Sequence, residues 1–277
     1  MSPKRWRDLR KRVLSALVLG PTAFACIWLG AETWTVLVAI AAAVLTWEWV
    51  HLCGLRTRVL PGMAVPVAVL TAGILAVAEH PRAALVALLV GAALTWWTAA
   101  GMRGRDRLAH PAGWLAAGVL YIGIAGIALI ELRHDNQAGR ANVLFLFLVV
   151  AASDIGAYMA GRAFGGPKLA PAISPNKTWT GAAGGLAAAV LVGLAVAAAL
   201  APGGASRAAA VAAMLCVMAQ AGDLLESWIK RRFDVKDTSS LIPGHGGLLD
   251  RLDGVIAAAP VAALLAYALG QGQPLWR

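Results

Sequence analysis

Charge is scarce in this chain. Only 14 % of its 277 residues are charged, where a soluble domain carries about 25 %. That depletion argues against any separate soluble domain. Cysteine is scarcer still, and Cys26, Cys53 and Cys216 each lie in or at the end of an apolar run. No CxxC or Cys/His spacing occurs, so neither a zinc site nor a disulfide framework follows. The three read as small core residues. No repeat of fixed period and no clear inverted repeat is evident.

Apolar sequence is what the chain has in abundance: 60 % of it is hydrophobic. Runs of about 20 apolar residues recur, the length needed to cross a bilayer as a helix. Nine such segments stand out, at 13–30, 33–53, 59–78, 82–100, 110–130, 141–161, 179–201, 208–229 and 254–270. They predict an all-α, polytopic integral membrane protein with about nine transmembrane helices, forming a single domain over 1–277. Pro21, Pro66 and Pro260 fall inside segments, which is tolerable where neighbours satisfy the freed carbonyls. The start, KRWRDLRKR before an apolar run, has the charge of a signal peptide. Its apolar part is too long for an h-region, so a retained first helix is expected.

The net charge of +10 reads as membrane topology rather than nucleic-acid binding. With a cytoplasmic N-terminus and nine spans, nineteen of the 24 Lys and Arg residues fall inside and five (Arg82, Arg133, Arg140, Arg207, Arg277) outside. This is the positive-inside bias. It puts the basic stretch 1–12 and the loops 162–178 and 230–253 on the cytoplasmic side. Trp28, Trp34, Trp47, Trp49, Trp96, Trp97, Trp179 and Trp228 fall near segment ends, where amphipathic rings are expected at the headgroups. In segment seven, Gly181 and Gly185 form a small-xxx-small face for close helix packing.

The few charges are not spread evenly. Asp223, Glu226, Asp234, Asp237, Asp250 and Asp253 are six of fourteen acidic residues. Asp223, Glu226, Ser227 and Lys230 follow i, i+3, i+4, i+7 spacing and share one helix face. Asp223 lies about 10 Å deeper than Lys230 along that helix. A carboxylate there needs a pairing partner, a metal or water; a buried Asp–Lys pair is the plainer reading and a hard cation the sharper one. Asp250 and Asp253 open segment nine, where helix capping alone would account for them. Two acidic pairs joined by one loop also suit Mg²⁺, which takes few carboxylates and completes its shell with water and phosphate oxygens.

Between the pairs lies Pro243-Gly244-His245-Gly246-Gly247, whose backbone N–H groups can converge on an anion, aided by the helix that follows. Lys230, Arg231 and Lys236 add positive charge. His245 can bond a phosphate, move a proton or simply shape the loop. A second motif, Ser174-Pro175-Asn176-Lys177-Thr178-Trp179-Thr180-Gly181, precedes segment seven. Asn176 or Thr178 can cap that helix, and Lys177 beside its N-terminus suits anion binding. Asp154, inside segment six, is a functional candidate because an intramembrane carboxylate is costly. A helix–helix hydrogen bond is its alternative.

The run from Ser227-Trp-Ile-Lys230-Arg231 through Lys236-Asp237 to Ile242-Pro243-Gly-His245-Gly246-Gly247-Leu-Leu-Asp250-Arg251-Leu-Asp253 resembles the signature of phosphatidate cytidylyltransferases, the CDP-diacylglycerol synthases. The upstream S-P-N-K-T-W-T-G and G-D-L-x-E-S runs resemble the same family. The N-terminal half matches only in its polytopic character. The resemblance implies conversion of CTP and phosphatidic acid to CDP-diacylglycerol and pyrophosphate, Mg²⁺ dependence with K⁺ as a second ion, and a homodimer in the cell inner membrane. It implies Asp223 and Asp250 as metal ligands, acting catalytically with Lys230, His245 and Asp253. Asp154, Glu226 and Ser227 would assist. Ser174, Asn176, Lys177, Arg231, Lys236, Asp237, Gly246, Gly247 and Arg251 would bind substrate.

Three rivals are distinguishable. A CTP-dependent lipid kinase would transfer the γ-phosphate and release CDP. A CDP-alcohol phosphotransferase would need a D-G-x-x-A-R type motif, which is absent. A transporter would need polar groups along a path across the bilayer, whereas these cluster at one face.

Overall fold

In lipid every backbone N–H and C=O must be satisfied within the protein, which leaves the helix as the structure for isolated apolar runs. The computed structural model describes residues 20–101, 111–200, 203–242, 246–270 and 272–277. The basic start 1–12, the first part of segment one and Arg103, Arg105 and Arg107 lie outside them. Among the described residues the helices are α1 (Gly20–Leu29), α2 (Ala31–Leu52), α3 (Ala64–Val77), α4 (Pro81–Ala100), α5 (Pro111–His134), α6 (Gly139–Phe164), α7 (Trp179–Leu200), α8 (Ala205–Arg232) and α9 (Leu249–Leu269). Each answers to one of the nine apolar segments.

Seven of these helices are long and apolar enough to cross a membrane; α1 and α3 are shorter. The 14 residues of α3 span about 21 Å at 1.5 Å per residue, short of the ~30 Å hydrocarbon core. The chain is therefore an all-α multi-pass membrane protein. Among the described residues the one sheet is a hairpin of β1 (Lys168–Ala170) and β2 (Ser174–Thr178), paired antiparallel. The hairpin occupies the stretch expected to be a plain loop.

The chain divides into two compact units, one of residues 1–130 and 232–252, the other of 131–231 and 253–277. In the first, α2 packs on α3 and α3 on α4, around Trp34, Trp49, Leu88, Leu115 and Ile122. The hydroxyls that fall among apolar neighbours return to their own helix: Thr46 Oγ1 donates to Ala42 O at 2.8 Å and Thr95 Oγ1 to Gly91 O at 2.7 Å. Each bond removes a donor that lipid could not satisfy.

Two tryptophans overturn the headgroup expectation. Trp34 and Trp49 are each 2 % exposed, and their indole N–H groups donate to Leu129 O at 2.9 Å and Trp114 O at 2.7 Å. The large ring fills the core while the one polar atom finds a carbonyl. Trp28, Trp47, Trp96, Trp97, Trp179 and Trp228 are exposed on their units.

In the second unit α6 runs along α7. A Cβ at Gly185 would lie 2.8 Å from Ser153 O, and one at Gly181 2.9 Å from Ala157 O, so the small-residue face of α7 meets the α6 backbone. The segment after α9 returns to α6. Leu275 and Trp276 are fully buried, Trp276 stacks on Phe145 at 4.8 Å, and Asn142 Oδ1 accepts from Leu275 N at 2.9 Å.

Asp135, between α5 and α6, fastens the same segment by accepting from Gly272 N at 2.7 Å, besides Gln137 N and Ala138 N at 2.9 Å. Burial pushes its carboxyl up, and the three backbone donors outweigh that, holding it below the usual carboxylate range. A depressed folded value contributes stability above the unfolded value, about 3.9, and loses it as pH falls through the folded value. Melting temperature followed against pH should therefore drop at the acid end in the parent chain. In Asp135→Asn it should start lower and show a weaker acid dependence.

Candidate active site

In the second unit, three helices and the hairpin each contribute one charged group. Gly222 on α8 has no side chain, and a Cβ there would lie 2.7 Å from Asp253 O of α9. Gly254, next along α9, faces Val150 of α6 and Ala219 of α8. These small residues bring the three backbones together where Asp154 (α6), Asp223 (α8) and Asp253 (α9) sit. Asp253 is in electrostatic range of both other carboxylates and of Lys177. Below this level Gln220 Nε2 donates to Ala182 O at 3.2 Å and approaches Ser153 Oγ and Cys216 Sγ, linking α6, α7 and α8.

The hairpin delivers Lys177 to this group. Thr178 Oγ1 accepts from Gly181 N at 3.1 Å, so Thr178 rather than Asn176 caps α7. Thr180 Oγ1 donates to Gly165 O, which fixes the other foot of the hairpin. Lys177 Nζ then lies 2.5 Å from Asp223 Oδ2. Asp223 therefore has a lysine partner, supplied by the hairpin, and the pair is part-exposed rather than the buried one considered from sequence. Lys230 instead pairs with Glu226 at 2.5 Å, the latter carboxylate almost fully buried. Arg231 Nε donates to Ile173 O at 3.3 Å, binding the end of α8 to the hairpin turn. Ser174 and Ser227 are half-buried and Asn176 is exposed.

The first unit holds the other half of the signature. Asp250 Oδ2 accepts from Thr238 N at 2.9 Å, Thr238 Oγ1 at 3.0 Å and Gly247 N at 2.8 Å. Ile242 N donates to Gly246 O at 2.9 Å, and Gly246 has φ +85°, a conformation that costs glycine nothing. Lys236, Asp237 and Arg251 are exposed. His245 lies outside the described residues.

Sequence reasoning missed Glu48. This α2 residue is 0 % exposed; its Oε1 accepts from Ser239 Oγ at 2.6 Å and Leu248 N at 2.8 Å, and its Oε2 from Leu249 N at 2.7 Å. The signal that singled out Asp154, a carboxylate inside an apolar run, applied equally to Glu48. Thr238 and Ser239 were missed as well; only folding reveals which carboxylate a hydroxyl will meet. The backbone N–H groups of Gly247, Leu248 and Leu249 donate to the chain's own carboxylates, Asp250 and Glu48.

The donor chemistry fits a hard divalent cation. Asp154, Asp223 and Asp253 offer carboxylate oxygens only, the ligands Mg²⁺ prefers. The Lys177 ammonium on Asp223 stands in for a cation. Among the described residues no three His, Cys, Asp or Glu side chains close into a ligand shell, and Mg²⁺ does not require one when water and phosphate complete it.

Fold and charges together define a helical multi-pass membrane protein whose scarce charged groups gather on two short sequence motifs. The model of the cytidylyltransferase family matches residues 10–269, and the chain belongs to that family. It is 39 % identical over 257 residues to the phosphatidate cytidylyltransferase of Brucella suis, covering 93 % of each chain. It is 36 % identical to that of Pseudomonas aeruginosa, over 96 % of this chain and all of the relative. With that of Haemophilus influenzae it shares 31 % identity over 91 % of this chain and 96 % of the relative.

Proposed function

We propose that this protein is a phosphatidate cytidylyltransferase, converting CTP and phosphatidic acid to CDP-diacylglycerol and pyrophosphate. The observation that carries this reading is the similarity to three such enzymes over more than nine-tenths of the chain. In the reaction a phosphate oxygen of the lipid forms a bond to the α-phosphorus of CTP. The bond from that phosphorus to the bridging oxygen breaks, and pyrophosphate leaves with the electron pair. Phosphatidate is already ionised near neutral pH, so no strong general base is needed. The obstacle is repulsion between anions, relieved by positioned positive charge.

Lys177, Lys230, Arg231, Lys236 and Arg251 supply that charge, with Ser174, Asn176, His245 and the Gly246–Gly247 turn completing the phosphate-binding set. Asp237 belongs to the same substrate-binding stretch. Mg²⁺ is proposed on Asp223 and Asp250, with K⁺ as a second ion; bound there, the divalent ion would neutralise phosphate charge and orient oxygens. Asp253, Asp154, Glu226 and Ser227 assist. Lys177 pairs with Asp223; with a divalent ion held on Asp223, its ammonium would be available to a phosphate. The proposal includes a homodimer, as the resemblance implies, and places the chemistry at the cytoplasmic face, a placement supported by the uneven distribution of Lys and Arg.

The test is product analysis. Purified full-length protein given Mg²⁺, CTP and phosphatidic acid in detergent–lipid micelles should release pyrophosphate and form CDP-diacylglycerol in equal amounts. CDP with a newly phosphorylated lipid would overturn the reaction. Turnover of neither substrate would overturn the assignment.

A further inference from the structure

Glu48 is a carboxylate with no solvent contact, on a helix that contributes no other charged residue to the signature. Its two oxygens receive three donors, and each donor belongs to one loop. The N–H groups of Leu248 and Leu249 are among those that the first turn of α9 cannot satisfy internally. A carboxylate there also faces the positive end of the helix. Ser239, at the other end of the same loop, donates to Glu48 Oε1, and its Oγ in turn accepts from Leu241 N at 3.1 Å. The site is tight: a Cβ at Gly247 would lie 2.7 Å from Glu48 Oε1.

Asp250 holds the neighbouring atoms of the same loop, at Thr238 and Gly247. The two carboxylates therefore clamp adjacent residues at both feet, Glu48 at Ser239 and Leu248–Leu249, Asp250 at Thr238 and Gly247.

We propose that Glu48 is a positioning residue for nucleotide transfer: fully buried, it fixes Ser239, Leu248 and Leu249, the residues on either side of the Gly-rich stretch proposed to hold CTP phosphates. This rests on the functional reading above. The Glu48 contact makes the loop a preorganised element, and the energy of ordering it is met before substrate arrives.

The experiment pairs two readouts on purified full-length Glu48→Gln, Glu48→Ala and Ser239→Ala. Amide hydrogen exchange is read across 238–249. Steady-state kinetics with CTP and phosphatidic acid are normalised to folded protein. Ser239→Ala removes two hydrogen bonds, the one to Glu48 and the one from Leu241 N, and should speed exchange of the loop at least about tenfold, the equivalent of one ordinary bond. It should lower kcat/KM for CTP by a similar factor, with the KM for phosphatidate unchanged. Glu48→Gln keeps acceptors for two donors and sets its amide N–H against the third, so it should fall between Ser239→Ala and Glu48→Ala.

A merely structural Glu48 would lower the folded yield and leave kinetics per folded molecule at the parent value; that result overturns the proposal. Exchange in the loop equal to that of the parent in Ser239→Ala and Glu48→Gln overturns it too, even where Glu48→Ala does not fold. A parent protein that lacks nucleotidyl transfer altogether removes the functional reading. The exchange arm then still reports whether Glu48 orders the loop.

Discussion

Asp250→Asn is expected to leave the protein folded and to lower cytidylyltransferase activity by about a hundred- to a thousandfold, the usual loss when one charge-stabilising group is removed from a transfer site. The substitution separates two roles. As a loop builder Asp250 needs an acceptor for Thr238 N, Thr238 Oγ1 and Gly247 N, and the Asn amide oxygen can be that acceptor. As a charged group it needs the carboxylate, which Asn lacks. Loss of activity with an unchanged hydrogen-exchange pattern over 238–249 assigns the effect to charge. A parallel Thr238→Val keeps the charge and removes one loop bond, and should cost about tenfold. Asp250→Asn within tenfold of the parent would leave Asp250 a purely structural role and sink its assignment as a metal ligand.

Trp276→Ala is expected to destabilise the chain by about 3–5 kcal/mol, the range for removing a fully buried large aromatic side chain. The ring is buried against Phe145, and the segment around it is fastened by Asn142 and Asp135 on one side and by the Arg207 guanidinium donating to Arg277 O on the other. Nothing in this segment carries a signature residue, so activity per folded molecule should be unchanged. A melting temperature equal to that of the parent in the same detergent would show that the segment packs without contributing stability.

Much of the architecture was legible because lipid imposes a single solution on an apolar run. Over the described residues all nine segments answer to helices, since backbone polar groups in hydrocarbon have no partner other than their own helix. The length of α3 was not legible: periodicity and composition read the same in a helix of 14 residues as in a full span. The hairpin was hidden because its strands, KLA and SPNKT, are too short and polar to show the alternation of a half-buried strand. Trp34 and Trp49 were assigned to the headgroups on position alone, and a buried indole differs from an interfacial one only by the carbonyl it finds.

The candidate site divides in the same way. The i, i+3, i+4, i+7 spacing predicted that Asp223, Glu226 and Lys230 share a face, and the Glu226–Lys230 ion pair follows from that local geometry. That Asp223 takes Lys177 instead, 46 positions earlier by residue number, required the hairpin to fold and Thr178 to cap α7. Glu48 reaches Leu249 across 201 positions, a pairing no local pattern encodes. Spacing along one helix, charge scarcity and the family motif are properties of the chain taken a few residues at a time, and the sequence alone determined them. Which carboxylate meets which donor depends on how the helices pack, in the second unit through Gly185, Gly222 and Gly254, and only the tertiary structure decided it.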